Sequence, residues 1–151
     1  MPKIKQSDKS TTYLTLRSAS AAAGEMNDCG VVALAATTGL DYGTCHEALK
    51  RHGRKNRQGV NYGMIFAALE DLGFQFNTVD PQHFIQQYPG NHKNLKSVTS
   101  HHADRFKKVW ADGHNYMVFV SGHVVGVCNG ENVDWTKGRA MRARVIIRIE
   151  R

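Results

Sequence analysis

Apolar and polar positions change rhythm about halfway along the chain. Between residues 29 and 73 the apolar side chains recur at helical spacing, and from residue 74 onward short alternating runs take over. A first helix is predicted over Cys29–Thr38, where Val31-Val32-Ala33-Leu34-Ala35-Ala36 is apolar almost all round and suits a central, buried position. Asn27 or Asp28 is its candidate N-cap, and Gly39 follows as the stop. Tyr42–His52 reads as a second helix, capped by Asp41 and stopped by Gly53. Tyr62–Leu72 reads as a third, capped by Asn61 and stopped by Gly73. Met64, Ile65, Ala68, Leu69 and Leu72 would form the inner face of that third helix.

The second half predicts strands. Phe74–Val79 alternates, Asp80-Pro81 begins a turn, and His83–Asn94 reads as irregular. A short helix is expected over Ala103–Ala111, with Phe106, Val109 and Trp110 inward and Asp112-Gly113 ending it. Three strands follow, at Asn115–Val120, His123–Cys128 and about Ala140–Glu150, the first two joined by a tight turn at Ser121-Gly122. The last sets Met141, Ala143, Val145, Ile147 and Ile149 against Arg142, Arg144 and Arg148, which predicts one apolar and one basic face. Helices first and an antiparallel sheet second is an α+β arrangement, expected as one domain over residues 21–151. Residues 1–20 are polar and rich in Ser and Thr. They read as a flexible N-terminal arm with at most a short strand at Tyr13–Leu16, and Ala19–Gly24 reads as a lead-in loop.

Composition narrows the class. The 151 residues suffice for one core, and 41% hydrophobic with 22% charged residues is an ordinary globular profile. No apolar run approaches the roughly 20 residues of a membrane span, and the first residues lack the apolar stretch of a signal peptide, so a cytoplasmic protein with no membrane partner is expected. Three cysteines, Cys29, Cys45 and Cys128, are an odd number without paired spacing, which points to reduced thiols. The net charge of +7 thickens at Lys50–Arg57 and from Lys137 to Arg151 and suits an acidic partner. No basic motif is interleaved with aromatics, so nucleic acid is the lesser option. His92, His101, His102 and His114 match no usual zinc spacing, and neither a metal nor a cofactor is expected.

The chemistry concentrates at Asn27-Asp28-Cys29-Gly30. A thiol at the first turn of a buried helix meets unpaired backbone N–H groups and the positive end of the helix dipole, and both favour thiolate. Far downstream, His123 opens a Val-rich strand, and Asp134 follows in Gly130-Glu131-Asn132-Val133-Asp134-Trp135. Imidazole can take the thiol proton and later protonate a leaving group, while a carboxylate beyond the ring fixes its orientation. The expected catalytic set is Cys29 as nucleophile, His123 as base and acid, and Asp134 as orienter. Asn132 is an alternative orienter, since alternation puts it on the same face as Asp134. The backbone N–H of Cys29 and the side chain of Asn27 are the candidate oxyanion donors. Cys45 and Cys128 are expected in the core.

These three patches, Asn27-Asp28-Cys29-Gly30, Ser121-Gly122-His123-Val124-Val125 and Val133-Asp134-Trp135, resemble those of papain-like cysteine peptidases of the compact microbial type. The nearest branch is the double-glycine leader peptidases with the small phage or plasmid proteins related to them. The resemblance implies a helical half packed on an antiparallel sheet, a Cys29–His123–Asp134 triad, and a protein or peptide substrate. Where that branch carries a glutamine about six residues ahead of the nucleophile, this chain has Ala23. Asn27 would then substitute, or the oxyanion hole is built differently, or the cleft binds without cutting. The last possibility is a phage-type binding protein on the same fold, directed at a host protein or a nucleic acid.

Overall fold

Local capping chemistry lays out the helical half. In the computed structural model, which describes residues 11–22, 28–55, 57–92, 94–134 and 136–150, helix α2 spans Cys29–Thr38 and ends where the Gly39 N–H bonds Ala35 O at 3.0 Å. Helix α3 (Tyr42–Arg51) starts on Asp41, whose carboxylate accepts from Thr44 N at 2.7 Å. Helix α4 (Tyr62–Asp71) starts on Asn61, which accepts from Met64 N at 2.9 Å. Both side-chain caps satisfy an N–H that the helix leaves unpaired, so the starts of α3 and α4 fall where the sequence places them, and α2 starts at Cys29 as expected.

Helix α1 (Thr11–Ala22) corrects the expected loose arm, strand and lead-in loop over its residues. It lies against α2 and α3, with Leu16 and Ser20 buried and Ala19 packed at the edge of the core. Its Ser- and Thr-rich sequence has little intrinsic helix preference, so packing against α2 supplies what local propensity does not.

Five strands form one antiparallel sheet: β1 (Gln75–Thr78), β2 (Asn115–Val120), β3 (His123–Cys128), β4 (Glu131–Val133) and β5 (Val145–Glu150), in spatial order β1-β5-β2-β3-β4. The chain is thus α+β, with helices packed on a five-stranded antiparallel sheet. Strand β5 sits between β1 and β2 and is packed on both faces, Ile147 and Ile149 in the core under the long helices and Ile146 in the opposite one, which leaves its basic face little room. Ile146, Ile147 and Ile149 are all buried, and only Arg148 keeps a basic position inside the strand. Arg142 and Arg144 lie ahead of it, in a segment joined to Thr99 by an isolated Thr99–Arg142 bridge and to β2 by a bond from Arg144 N to Phe119 O.

Helix α2 crosses one face of the sheet and packs most closely on β3. A Cβ on Gly126 would stand 3.4 Å from Ala33 O, Ala36 Cβ and Thr37 Cγ2, so the glycine lets strand and helix touch. The opposite face is covered by three short helices, α5 (Pro81–Gln87), α6 (His102–Arg105) and α7 (Lys107–Trp110), and by stacked rings: Phe84 on Trp110 and Tyr88 on Phe106, each pair at 3.9 Å. Helix α5 replaces the turn and irregular stretch expected there. Asp80 caps it through Gln82 N at 3.0 Å, and Pro81 occupies its first turn, where a missing N–H costs nothing. The single helix expected over Ala103–Ala111 is broken at Phe106 into α6 and α7. Among the described residues no helix is long and apolar enough to cross a membrane.

Candidate active site

Helix α2 delivers Cys29 to its own N-terminus. The first intrahelical bond runs from Val32 N to Asp28 O at 3.0 Å, so the N–H groups of Cys29, Gly30 and Val31 lie ahead of the helical ladder. Asp28 occupies the N-cap position and makes no cap bond. Its carboxylate instead accepts from the Tyr42 hydroxyl on α3 at 2.7 Å. The diversion leaves the helix end open toward the thiol. Gly30 is required at this turn, because a Cβ there would lie 2.4 Å from Val60 Cγ2, and Val60 is a wall of the cleft described below.

The imidazole comes from the sheet. His123 opens β3, and its Nε2 donates to Asp134 Oδ2 at 2.8 Å. That bond fixes the ring and leaves Nδ1 for the thiol. Burial works against a charged ring at this position. Hydrogen bonding and electrostatic attraction to Asp134 and Cys29 outweigh it and push the His123 pKa up to about 10. The ring is therefore poised as imidazolium beside the sulfur at neutral pH.

Asp134 is buried just past the end of β4. Its Oδ2 accepts not only from His123 but also from Thr136 N at 3.0 Å and from the Thr136 hydroxyl. Three donors on one oxygen hold the carboxylate in place. Thr136 is absent from the sequence-based site. A short polar side chain two residues after an Asp, able to close an Asx-type turn, was the available signal.

Asn132 does not serve as orienter. Its Nδ2 donates to Ser100 O at 3.0 Å and to Asp104 Oδ2 at 2.7 Å, which ties β4 to α6. Strict alternation would aim Asn132 and Asp134 alike, but the chain leaves the strand after Val133 and the two side chains part. Asn27, the candidate oxyanion donor, and Trp135 lie outside the described residues.

Cys29, His123, Val60, Tyr62, Phe119 and Val120 line a cleft of about 430 Å³ between the helical half and the sheet. Tyr62 stands at its edge, 43% exposed, with its ring edge-on to Phe119 at 4.8 Å. The other thiols differ. Burial pushes Cys45 up to about 11 and Cys128 up to about 12, and Cys128 Sγ donates to Ala36 O at 3.2 Å. Cys45 lies in the core, as expected, while Cys128 is half-buried and packed against it. Among the described residues no three His, Cys, Asp or Glu side chains group as a metal site would require. His102 is buried among rings, 5.4 Å from Tyr88 and 5.7 Å from Phe106, and His114 lies 3.2 Å from Glu150.

No protein-family model matches the chain, and neither the curated proteins nor the solved structures contain a match to it.

Proposed function

We propose that the protein is a papain-like cysteine peptidase, a thiol hydrolase of peptide or isopeptide bonds acting through Cys29, His123 and Asp134. One observation carries this reading: an imidazole bonded to a buried carboxylate and lining one open cleft together with a half-buried thiol. A hydrogen-bonded thiol–imidazole–acid chain is the arrangement that activates a sulfur nucleophile.

In this mechanism the Cys29 sulfur attacks the carbonyl carbon of a bond lying in the cleft. The carbonyl oxygen takes up negative charge near the open start of α2, where the Cys29 N–H is a fixed donor. The C–N bond breaks as His123 hands its proton to the leaving amine, leaving a thioester on Cys29. Water then attacks the thioester, His123 takes a proton from it, and the carboxylate product departs with the thiol restored. Asp134, held by Thr136, keeps Nε2 engaged throughout, so the other ring nitrogen faces the reacting atoms.

The test is digestion of a mixed peptide library by the full chain, read by mass spectrometry. Cleavage that disappears in Cys29→Ala supports the reading, as does a mass adduct on Cys29 after treatment with a peptide aldehyde. No cleavage and no adduct would leave the alternative, a binding protein that keeps the cleft without the reaction. The Ala23 position, where the related peptidases carry glutamine, favours that outcome.

A further inference from the structure

A second groove lies one strand away from the cleft. It encloses about 300 Å³ between the segment around Ser97 and the segment leading into β5, and Lys96, Arg142 and Arg144 line it. All three are exposed, and among the described residues none of their side chains forms an ion pair or a hydrogen bond. Their positions are nonetheless fixed by backbone. Ser100 N bonds Met141 O and Ala143 N bonds Val98 O, each at 2.8 Å, and Arg144 N bonds Phe119 O at 2.7 Å. Three like charges converge on a built scaffold with no counter-charge in the lining. The nearby Asp80 is occupied at the cap of α5.

We propose that this groove docks an acidic stretch of polypeptide with carboxylates on alternate residues. Arg142 and Arg144 flank the buried Ala143, so their side chains project to the same side, with the two-residue spacing at which an extended peptide repeats its own side chains. Two guanidinium groups and an ammonium match carboxylates in charge, and arginine adds the option of bidentate bonding. No aromatic side chain lines the groove, so it lacks the stacking platform on which single-stranded nucleic acid depends. The backbone of Arg144 is bonded to Phe119, a wall of the Cys29 cleft, which places groove and cleft on adjoining strands. One extended chain would thus be held by its acidic part while another part enters the cleft. That the occupant is the substrate rests on the peptidase reading, whereas the docking itself does not.

The experiment is fluorescence anisotropy at low salt with three labelled probes: an eight-residue peptide alternating Glu and Ser, its Lys/Ser counterpart, and an eight-nucleotide oligo-dT. The proteins are the full chain, Cys29→Ala, the double variant Arg142→Glu with Arg144→Glu, Lys96→Glu, and Lys50→Glu as an exposed control outside the groove. The acidic peptide is expected to bind the full chain and Cys29→Ala equally, and to weaken as salt is added. Reversing the two arginines should weaken binding by about tenfold or more, since it sets like charges face to face. Lys96→Glu should weaken it severalfold, and Lys50→Glu should leave it unchanged. Lys96 lies on a separate segment, so it carries the test if the double variant melts early. No binding of the acidic peptide, equal binding by the groove variants, or tighter binding of oligo-dT would overturn the proposal. Docking by Cys29→Ala alongside a full chain that cleaves nothing would sink the peptidase reading and leave the docking site standing.

Discussion

Asn132 and Asp134 sit two residues apart at the end of one strand, and they do different things. Asn132 is enclosed: its amide binds Ser100 and Asp104 and fastens β4 to α6. Asp134 is equally buried, but its hydrogen bond leads outward through His123 to a thiol at an open cleft. The first cluster ends in buried polar groups, the Asn132 Oδ1 among them without a partner, and holds the fold. The second ends in a half-buried thiol with space in front of it. Burial and hydrogen bonding are the same in kind at both, so neither identifies a reactive site. In the proposed reading, the route from a fixed carboxylate to an accessible sulfur does.

The comparison can be broken at several points. The largest effect is expected from His123→Ala, which should slow alkylation of Cys29 at neutral pH by about a hundredfold, within the range a positioned base contributes. Site-resolved labelling followed by mass spectrometry measures it. Asn132→Ala should have the opposite profile. It strips two bonds from the buried cluster and should cost about 1–3 kcal/mol in denaturant unfolding, while Cys29 in the folded fraction reacts at the wild-type rate.

Thr136→Val removes one donor from Asp134 and keeps the side chain's shape. We expect a severalfold loss in Cys29 reactivity and about 1 kcal/mol of stability, so this variant should move both readouts where Asn132→Ala moves one.

A smaller effect concerns pH. The folded pKa of His123, near 10, lies above the ordinary histidine value of 6.5. The stabilisation from its charged form is therefore complete below about pH 6.5 and is lost as pH rises toward 10. Melting temperature should fall across that window in the wild type, and the slope should flatten in Asp134→Asn. Parallel slopes in the two proteins would show that the pair does not set the ring's charge.

The legibility of the molecule follows the reach of its interactions. The starts of α3 and α4 are written in Asp41 and Asn61, whose partners lie three residues on, and sequence reading finds both. Helix α5 carried the same kind of signal in Asp80 and Pro81. Those residues also begin turns, and what decides between the two is the burial of Phe84 and Ile85 on the far sheet face. Helix α1 has no strong local signal and depends on α2. At the site, the thiol's place at a helix start and the histidine's at a strand start were readable from caps and alternation. The fate of Asn132 was not, because Asp104 and Ser100 lie 28 and 32 residues away. Nor was the diversion of Asp28 by Tyr42, fourteen residues on.

The most direct measurement is the rate of iodoacetamide labelling at each cysteine near pH 7, in the wild type and in His123→Ala. An activated pair predicts that Cys29 is labelled far ahead of Cys45 and Cys128, and that the lead collapses when the imidazole is removed. Labelling of Cys29 at the same rate with and without His123 would contradict it, because exposure alone would then account for the sulfur's behaviour.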